Sequence, residues 1–288
     1  MQEDSPRITA VLVLYRLGAE ESDCFSSLRK ILESEPTLSP DFTLLLYDNS
    51  PEPQPAPGFP ATLLYRHDRT NGGVAAAYNA GLEQAQRDGS AWLLLLDQDT
   101  ALTQVYLHEL RLLTRTVPAE AVAIVPRLTQ DGNTHSPHKP LRLSHHPVPE
   151  GLAGLLPKKV CAFNSGAAIR VRAIQRFPER YWLDFLDHAV FHELQASGGR
   201  IWLMKAHLPH RLSTMHLGAE ASLGRYRNVL QAERDFYRDY GSPADRLFYH
   251  LRRMKQTAGH LLKVRDKRFA LLSARAALGL LGPTLPRR

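Results

Sequence analysis

Residues 91–100 read AWLLLLDQDT, an apolar run that ends in two carboxylates, Asp97 and Asp99, one residue apart. A short, continuous apolar run bounded by polar residues is the pattern of a strand buried on both faces, as in a parallel sheet covered by helices. In such sheets ligands bind in the crevice outside the carboxyl ends of the strands. The exit of this strand therefore delivers two acids to a cleft edge. Carboxylates this close repel unless a proton or a cation lies between them. A hard divalent cation, its shell completed by a diphosphate, is one arrangement that satisfies them. The alternative is an acidic turn in which Asp99 or Thr100 caps the following helix.

The flanking segments repeat the alternation. ITAVLVL (8–14) and FTLLLYDNS (42–50) are apolar, strand-like runs, the second ending near Asp48. Between them Phe25, Leu28, Ile31 and Leu32 recur at helical spacing, up to Pro36. A proline-rich loop follows, then a short strand at 61–66 and the glycine turn and alanine-rich helix of NGGVAAAYNAG (71–81). After the acids come a helix over 104–116 and a strand at AVAIVP. Strands alternating with helices imply parallel pairing and a layered α/β domain. Residues 130–158, rich in His, Pro, Gly and Ser, read as one long loop. From about residue 220 the chain reads as helical, so the expected organisation is an α/β domain over 1–220 and a helical tail over 221–288.

Charge divides the same way. Residues 221–288 hold 15 Lys and Arg against 5 Asp and Glu, a net +10, which leaves −3 for the first 220 of the +7 total. A basic tail points to an anionic partner such as a lipid surface, or to a solvated helical face. The two cysteines, Cys24 and Cys161, cannot form a disulfide framework and have no metal-site spacing. With no signal peptide at the N-terminus, the expectation is a cytoplasmic protein. No apolar run approaches the roughly 20 residues of a membrane span.

Several residues sit where they could meet a ligand. The glycines of NGGVAAAYNAG precede a helix start, where backbone N–H groups can face an anion, without forming a dinucleotide or P-loop signature. Asn79 lies inside that helix, either on a polar face or aimed at a ligand. His188 and His192 are four apart but not in an H-E-x-x-H pattern. His135, His138, His145 and His146 fall in the long loop with no Cys or acid at ligand spacing.

In order and spacing, YDNS, NGGVAAAYNAG and LLLLDQDT resemble the inverting GT-A glycosyltransferases of the family-2 type, and LDQDT resembles their rhamnosyltransferase branch. The resemblance covers roughly residues 7–240. It implies a GT-A α/β fold, a Rossmann-like nucleotide-sugar-binding sheet flanked by helices, with a C-terminal helical extension. It also implies Mg2+ or Mn2+ as cofactor, dTDP-L-rhamnose as donor, and a bacterial surface polysaccharide or lipid-linked oligosaccharide as acceptor. By the same resemblance Tyr15 and Arg16 line the nucleotide pocket and Asp48 bonds the base edge. Asn71, Gly73 and Asn79 shape the nucleotide-sugar site, Gln98 sits beside the ribose or sugar, and Asp97 and Asp99 hold the metal.

FNSGAAIR (163–170) resembles the segment that meets donor sugar and acceptor, which nominates Asn164, Ser165 and Gly166. YWLDFLDHAVFHELQASG (181–198) resembles the helix start that supplies the catalytic base, Asp187, with Asp184 the alternative. It departs from the pattern at Ala189, where a second acid is common, and at Glu193, where a basic residue is common. STMHLGAE (213–220) resembles the His-x-x-Gly segment, with His216 a third metal ligand or a contact to the diphosphate. The basic, apolar-striped tail could rest on an anionic lipid surface on the inner face of the cytoplasmic membrane, or pack as a hairpin on the domain or a second copy. Two other functions stay open: a sugar-phosphate nucleotidyltransferase, although the expected glycine- and lysine-rich N-terminal loop is missing, and a nucleic-acid-binding protein, although no stacking-aromatic motif accompanies the charge.

Overall fold

The structure is a computed structural model that describes residues 6–141, 144–210 and 223–282. Its centre is a sheet in the order β3-β2-β1-β4-β10-β5-β11-β9. These are β1 (Ile8–Leu14), β2 (Phe42–Asp48), β3 (Thr62–His67), β4 (Trp92–Asp97), β5 (Ala121–Gln130), β9 (Gly154–Leu155), β10 (Ala167–Arg170) and β11 (Arg200–Pro209). Strands β1 to β4 are mutually parallel, β10 runs antiparallel between β4 and β5, and β11 returns parallel to β5.

The four leucines of β4 divide by parity. Leu93 and Leu95 join Val11, Val13, Leu45 and Tyr47 in a core under α2 (Gly73–Arg87) and α4 (Leu186–Ala196). Leu94 and Leu96 join Leu12, Leu14, Leu44 and Leu46 under α1 (Asp23–Ser34) and α3 (Gln104–Thr116). Both faces are covered, so the strand needs no polar alternation. The helix starts use side-chain caps: Ser22 accepts from the Phe25 N–H and Thr103 from the Tyr106 N–H, each at 3.2 Å.

The segment expected as a long loop is instead built from short strands. Strand β5 extends to Gln130 and pairs back on β6 (Asn133–Ser136), β7 (His138–Leu141) pairs β8 (Ser144–Pro147), and β9 adds to β11. Strands of two to four residues rich in His, Pro and Ser carry no apolar alternation, so their sequence reads as irregular. Buried Arg127 holds the segment from beneath. Its guanidinium donates to the carbonyls of Val148 at 2.8 Å and of Pro149 and Leu152 at 3.1 Å.

The tail is α5 (Leu223–Tyr240), α6 (Pro243–Lys263) and α7 (Arg268–Ala277), with a small core of Tyr226, Leu230, Phe269, Ala276 and Leu281. Helix α6 presents Tyr249, Arg253 and His260 inward, and Leu247, Leu251, Met254, Leu261 and Leu262 outward. Arg253 bonds Glu233 of α5 at 2.9 Å. Among the described residues no helix is long and apolar enough to cross a membrane.

Helix α2 lies close on the sheet at Gly81, where an added Cβ would stand 2.8 Å from Val11 Cβ. Gly81→Val is therefore expected to destabilise the fold by about 1–3 kcal/mol. Urea unfolding should show a lowered midpoint with an unchanged m-value.

Candidate active site

Asp97 shares the parity of Leu93 and Leu95 and stands opposite Val13 at the carboxyl ends of β4 and β1. A cleft of about 410 Å³ opens there. Tyr15, Asp97, Gln98, Asp99, Asn164, Ser165, Asp184 and Asp187 all line it, so most of the nominated residues meet in one cavity. Tyr78, Phe163, Phe185, His188, His210, Arg225 and Val229 complete much of the wall.

The acids are held by specific partners. The Ser165 hydroxyl donates to Asp97 Oδ2, and the Gly166 N–H donates to the Leu95 carbonyl at 2.9 Å. Gly166 has φ +72°, and an added Cβ would lie 3.0 Å from Leu208, so glycine permits this turn. Gln98 Oε1 accepts from the Tyr15 N–H at 2.8 Å, which ties the exit of β4 to that of β1. Asp97 Oδ1 is buried without a hydrogen-bond partner. Burial and the charge of Asp97 push Asp99 up to about 6, against the pull of His210.

One ligand-type atom each of Asp97, Asp99 and His210 lies within 4.8 Å of the others. Oxygen and imidazole donors around an orphaned carboxylate oxygen fit a hard or borderline divalent ion. His210 follows β11 directly, and its Nδ1 lies 2.8 Å from Thr100 Oγ1. Two bonds from the N–H groups of Lys205 and Ala206 to the Glu109 carboxylate, at 2.8 and 2.7 Å, fix the irregular stretch of β11 before it. Sequence reasoning chose His216, which lies outside the described residues, and missed His210. The available signal is that RIWLMKAHLP is a strand ending at Pro209, with His210 the first residue beyond its carboxyl end.

On the opposite wall Phe185, with φ 63°, turns the chain between Asp184 and Asp187. Asp187 Oδ1 accepts from the His188 N–H at 2.8 Å and from its Nδ1 at 2.9 Å. Burial alone would raise Asp187, but His188 outweighs it and holds the carboxyl below its ordinary range. Asp184 Oδ1 meets Arg225 of α5 at 2.8 Å, while Oδ2 is buried and unpartnered. Ala189 is buried in the core, and Glu193 accepts from the Tyr240 hydroxyl, joining α4 to α5.

The remaining nominated residues shape the frame and do not line the cleft. Asp48 is buried, with Oδ1 accepting from the Ser50 N–H at 2.9 Å and Oδ2 from the Tyr65 hydroxyl at 2.7 Å. Burial would raise it, but these bonds hold it below its ordinary range. Asn79 clamps a loop through both ends of its amide, accepting from the Phe177 N–H at 2.7 Å and donating to the Phe177 carbonyl at 3.0 Å. Arg16 (φ 54°) donates its N–H to Ser50 Oγ at 2.8 Å, and its guanidinium lies over the Tyr15 ring. Asn71 (φ 52°) turns the chain into α2. Gly73 has φ +78°, and an added Cβ would stand 2.4 Å from the Trp182 carbonyl oxygen, so the residue is required for close approach. That carbonyl also accepts the Ala75 N–H at 3.2 Å, which occupies one of the helix-start donors.

An acid-lined cleft at the carboxyl ends of a mostly parallel sheet, with helices on both faces, is the architecture of a GT-A glycosyltransferase. The pattern of glycosyl transferase family 2 matches residues 23–177, more than half of the chain, and the chain belongs to that family. Two solved structures of S. aureus TarS, residues 1–349, share the fold. The first has a TM-score of 0.55 at 13% identity, covering 96% of this chain and 83% of that one. The second, in complex with UDP-GlcNAc, has a TM-score of 0.57 at 13% identity, covering 96% and 82%. A comparison with curated protein sequences yields no match.

Burial pushes Asp184 up to about 6, Arg225 opposing and Asp187 reinforcing it. That lies above the ordinary unfolded value of about 3.9, so between these values the folded chain keeps a proton that the unfolded chain releases. The resulting stability is fully present below about pH 4 and lost as pH rises through about 6. In urea unfolding at stepped pH, Asp184→Asn should show a shallower fall in stability across that window than the unaltered chain.

Proposed function

We propose that this glycosyltransferase is an inverting, metal-dependent enzyme that moves L-rhamnose from dTDP-L-rhamnose to a hydroxyl of a bacterial surface polysaccharide or lipid-linked oligosaccharide. The observation that carries the reading is the convergence of two acid pairs on one cleft: Asp97 and Asp99 on one wall, Asp184 and Asp187 on the other. The rhamnosyl donor rests on the LDQDT sequence alone. The UDP-GlcNAc in the TarS complex supports a nucleotide sugar in this fold and makes UDP-sugars the competing donors.

Asp97, Asp99 and His210 would hold Mg2+ or Mn2+, whose positive charge offsets that of the departing diphosphate. Tyr15 and Gln98, joined by their hydrogen bond, form the floor on which the nucleotide and sugar rest. A contact of Asp48 with the base requires one of its internal bonds to exchange. Asn164 Oδ1, buried and unpartnered, is an acceptor for a sugar hydroxyl. Asp187 takes the acceptor's proton at its carboxylate, oriented by His188, and in-line attack inverts the anomeric carbon. Asp184, with its unpartnered Oδ2, is the alternative base.

Thermal-shift measurements with a panel of nucleotide sugars, with and without Mn2+, test the donor. Selective stabilisation by dTDP-L-rhamnose, lost in Asp99→Ala, is the expected result, and selective stabilisation by a UDP-sugar would replace the donor. Asp187→Asn should lower kcat by about 10²- to 10⁴-fold while donor stabilisation persists. A larger loss in Asp184→Asn would transfer the role of base to Asp184.

The outward leucines of α6, with Leu271, Leu278 and Leu280, are exposed on the same helical tail as Lys255, Lys263, Arg265 and Arg275. This pairing of apolar and cationic surface supports peripheral attachment to anionic lipid at the cytoplasmic face of the membrane, where lipid-linked acceptors are held. Co-sedimentation with phosphatidylglycerol-containing vesicles should exceed that with neutral ones and fall in Leu251→Glu/Leu262→Glu. Equal partitioning, or a salt-stable dimer without vesicle binding, would overturn the attachment.

A further inference from the structure

A second cluster of ligand-type side chains lies behind Asp187. His138, Cys161 and His188 are far apart in sequence, yet one ligand-type atom of each lies within 4.8 Å of the other two. His138 and Cys161 are buried and share a fixed backbone bridge, each N–H donating to the other's carbonyl at 2.8 and 2.9 Å. His188 stands in the first turn of α4, its ring centroid 5.7 Å from that of His138. We propose that His138, Cys161 and His188 form a thiolate–imidazole site for a transition-metal dication such as Zn2+, separate from the Asp97, Asp99 and His210 group.

The donor set makes the assignment. A thiolate and two imidazoles suit zinc and disfavour magnesium, whose preferred ligands are oxygens. Bond lengths of about 2.3 Å to sulfur and about 2.0–2.1 Å to nitrogen place tetrahedral ligand atoms roughly 3.3–3.7 Å apart. The three atoms here lie within 4.8 Å of one another, so binding an ion requires them to close to that spacing. Each comes from a different part of the chain, so only the fold assembles them.

The surroundings of His188 are those of a metal-bound imidazole. Its Nδ1 lies 2.9 Å from the Asp187 carboxylate, to which it would donate, so the ligating nitrogen would be Nε2. A carboxylate on the far nitrogen fixes the tautomer and orients the ring. His188 also lines the cleft, whereas His138 and Cys161 do not. A bound ion would therefore anchor His188 to the inner wall and steady Asp187 through it. That consequence rests on the reading of Asp187 as the base; the metal site does not.

The test uses the purified full chain, freed of metal by chelation and titrated with Co2+ in excess Mg2+, which competes for oxygen-ligand sites. One equivalent of Co2+ should give a thiolate-to-cobalt charge-transfer absorption that Zn2+ removes. The band should persist in Asp99→Ala and Cys24→Ser and disappear in Cys161→Ser. A folded unaltered chain without the band overturns the proposal, as does a band that survives Cys161→Ser. If Cys161→Ser does not fold, His138→Gln decides: a lost or displaced band supports the site and an unchanged one overturns it. Because the readout is optical, a failure here is distinguishable from a failure of the proposed transfer reaction, which the Asp187→Asn kinetics address.

Discussion

Two carboxylates forced together at the end of β4 set the problem that the rest of the cleft answers. Their mutual repulsion is relieved locally by the Ser165 hydroxyl on Asp97 and by the proton affinity of Asp99, raised to about 6. The strand is not free to slip and spread them. Its leucines are divided between two cores, and a shift of one residue would turn each set to the wrong face. The same parity aims Asp97 at the α2 and α4 side of the sheet, where Tyr78 and Asp187 stand. Burying the strand and presenting the acids are thus one constraint, and His210 brings a ligating nitrogen to the same place from β11.

Left-handed backbone recurs at three junctions of the chain. Arg16 follows β1, Asn71 precedes α2, and Phe185 precedes α4, all with left-handed φ. Such conformations cost of order 1 kcal/mol or more and persist where surrounding contacts over-determine them. Ser50 Oγ accepts the N–H of Arg16, and the Asp68 carbonyl accepts that of Asn71. At Phe185 the carbonyl accepts from the Ala189 N–H at 3.1 Å, which starts α4 immediately after the turn. The turn lets Asp184 and Asp187, three residues apart, line one cavity with different environments: one beside a guanidinium, the other beside an imidazole.

Much of this was legible from residue pattern. The bounds of α3 and the run of β4 follow from the residue pattern, the strand-end rule leads to Asp97 and Asp99, and Gln98 comes from the family resemblance. The rule does not reach His210, because the segment of β11 is not among the runs that read as strands. Asp48 and Asn79 mark a different limit. A carboxylate or amide beside a ligand pocket has the same sequence appearance whether or not it also bonds the chain itself; the bonds to Tyr65 and Phe177 are visible only in the fold. The cluster of His138, Cys161 and His188 had no spacing signature because its members come from β7, the loop before β10 and α4, and long-range contact leaves no periodic trace.

The helical tail carries a further consequence for the electrostatics of the cleft. Arg225 and Tyr226 are neighbours on α5, yet they serve different partners. The guanidinium reaches Asp184 in the cleft, while the Tyr226 hydroxyl pairs with Ser273 of α7 at 2.6 Å inside the tail's own core. Arg225 is the cation that opposes the upward shift that burial imposes on Asp184. A rigid rotation of α5 that disturbed the Tyr226 contact would also move Arg225. One turn of α5 therefore carries both the tail's contact with α7 and the cation beside Asp184.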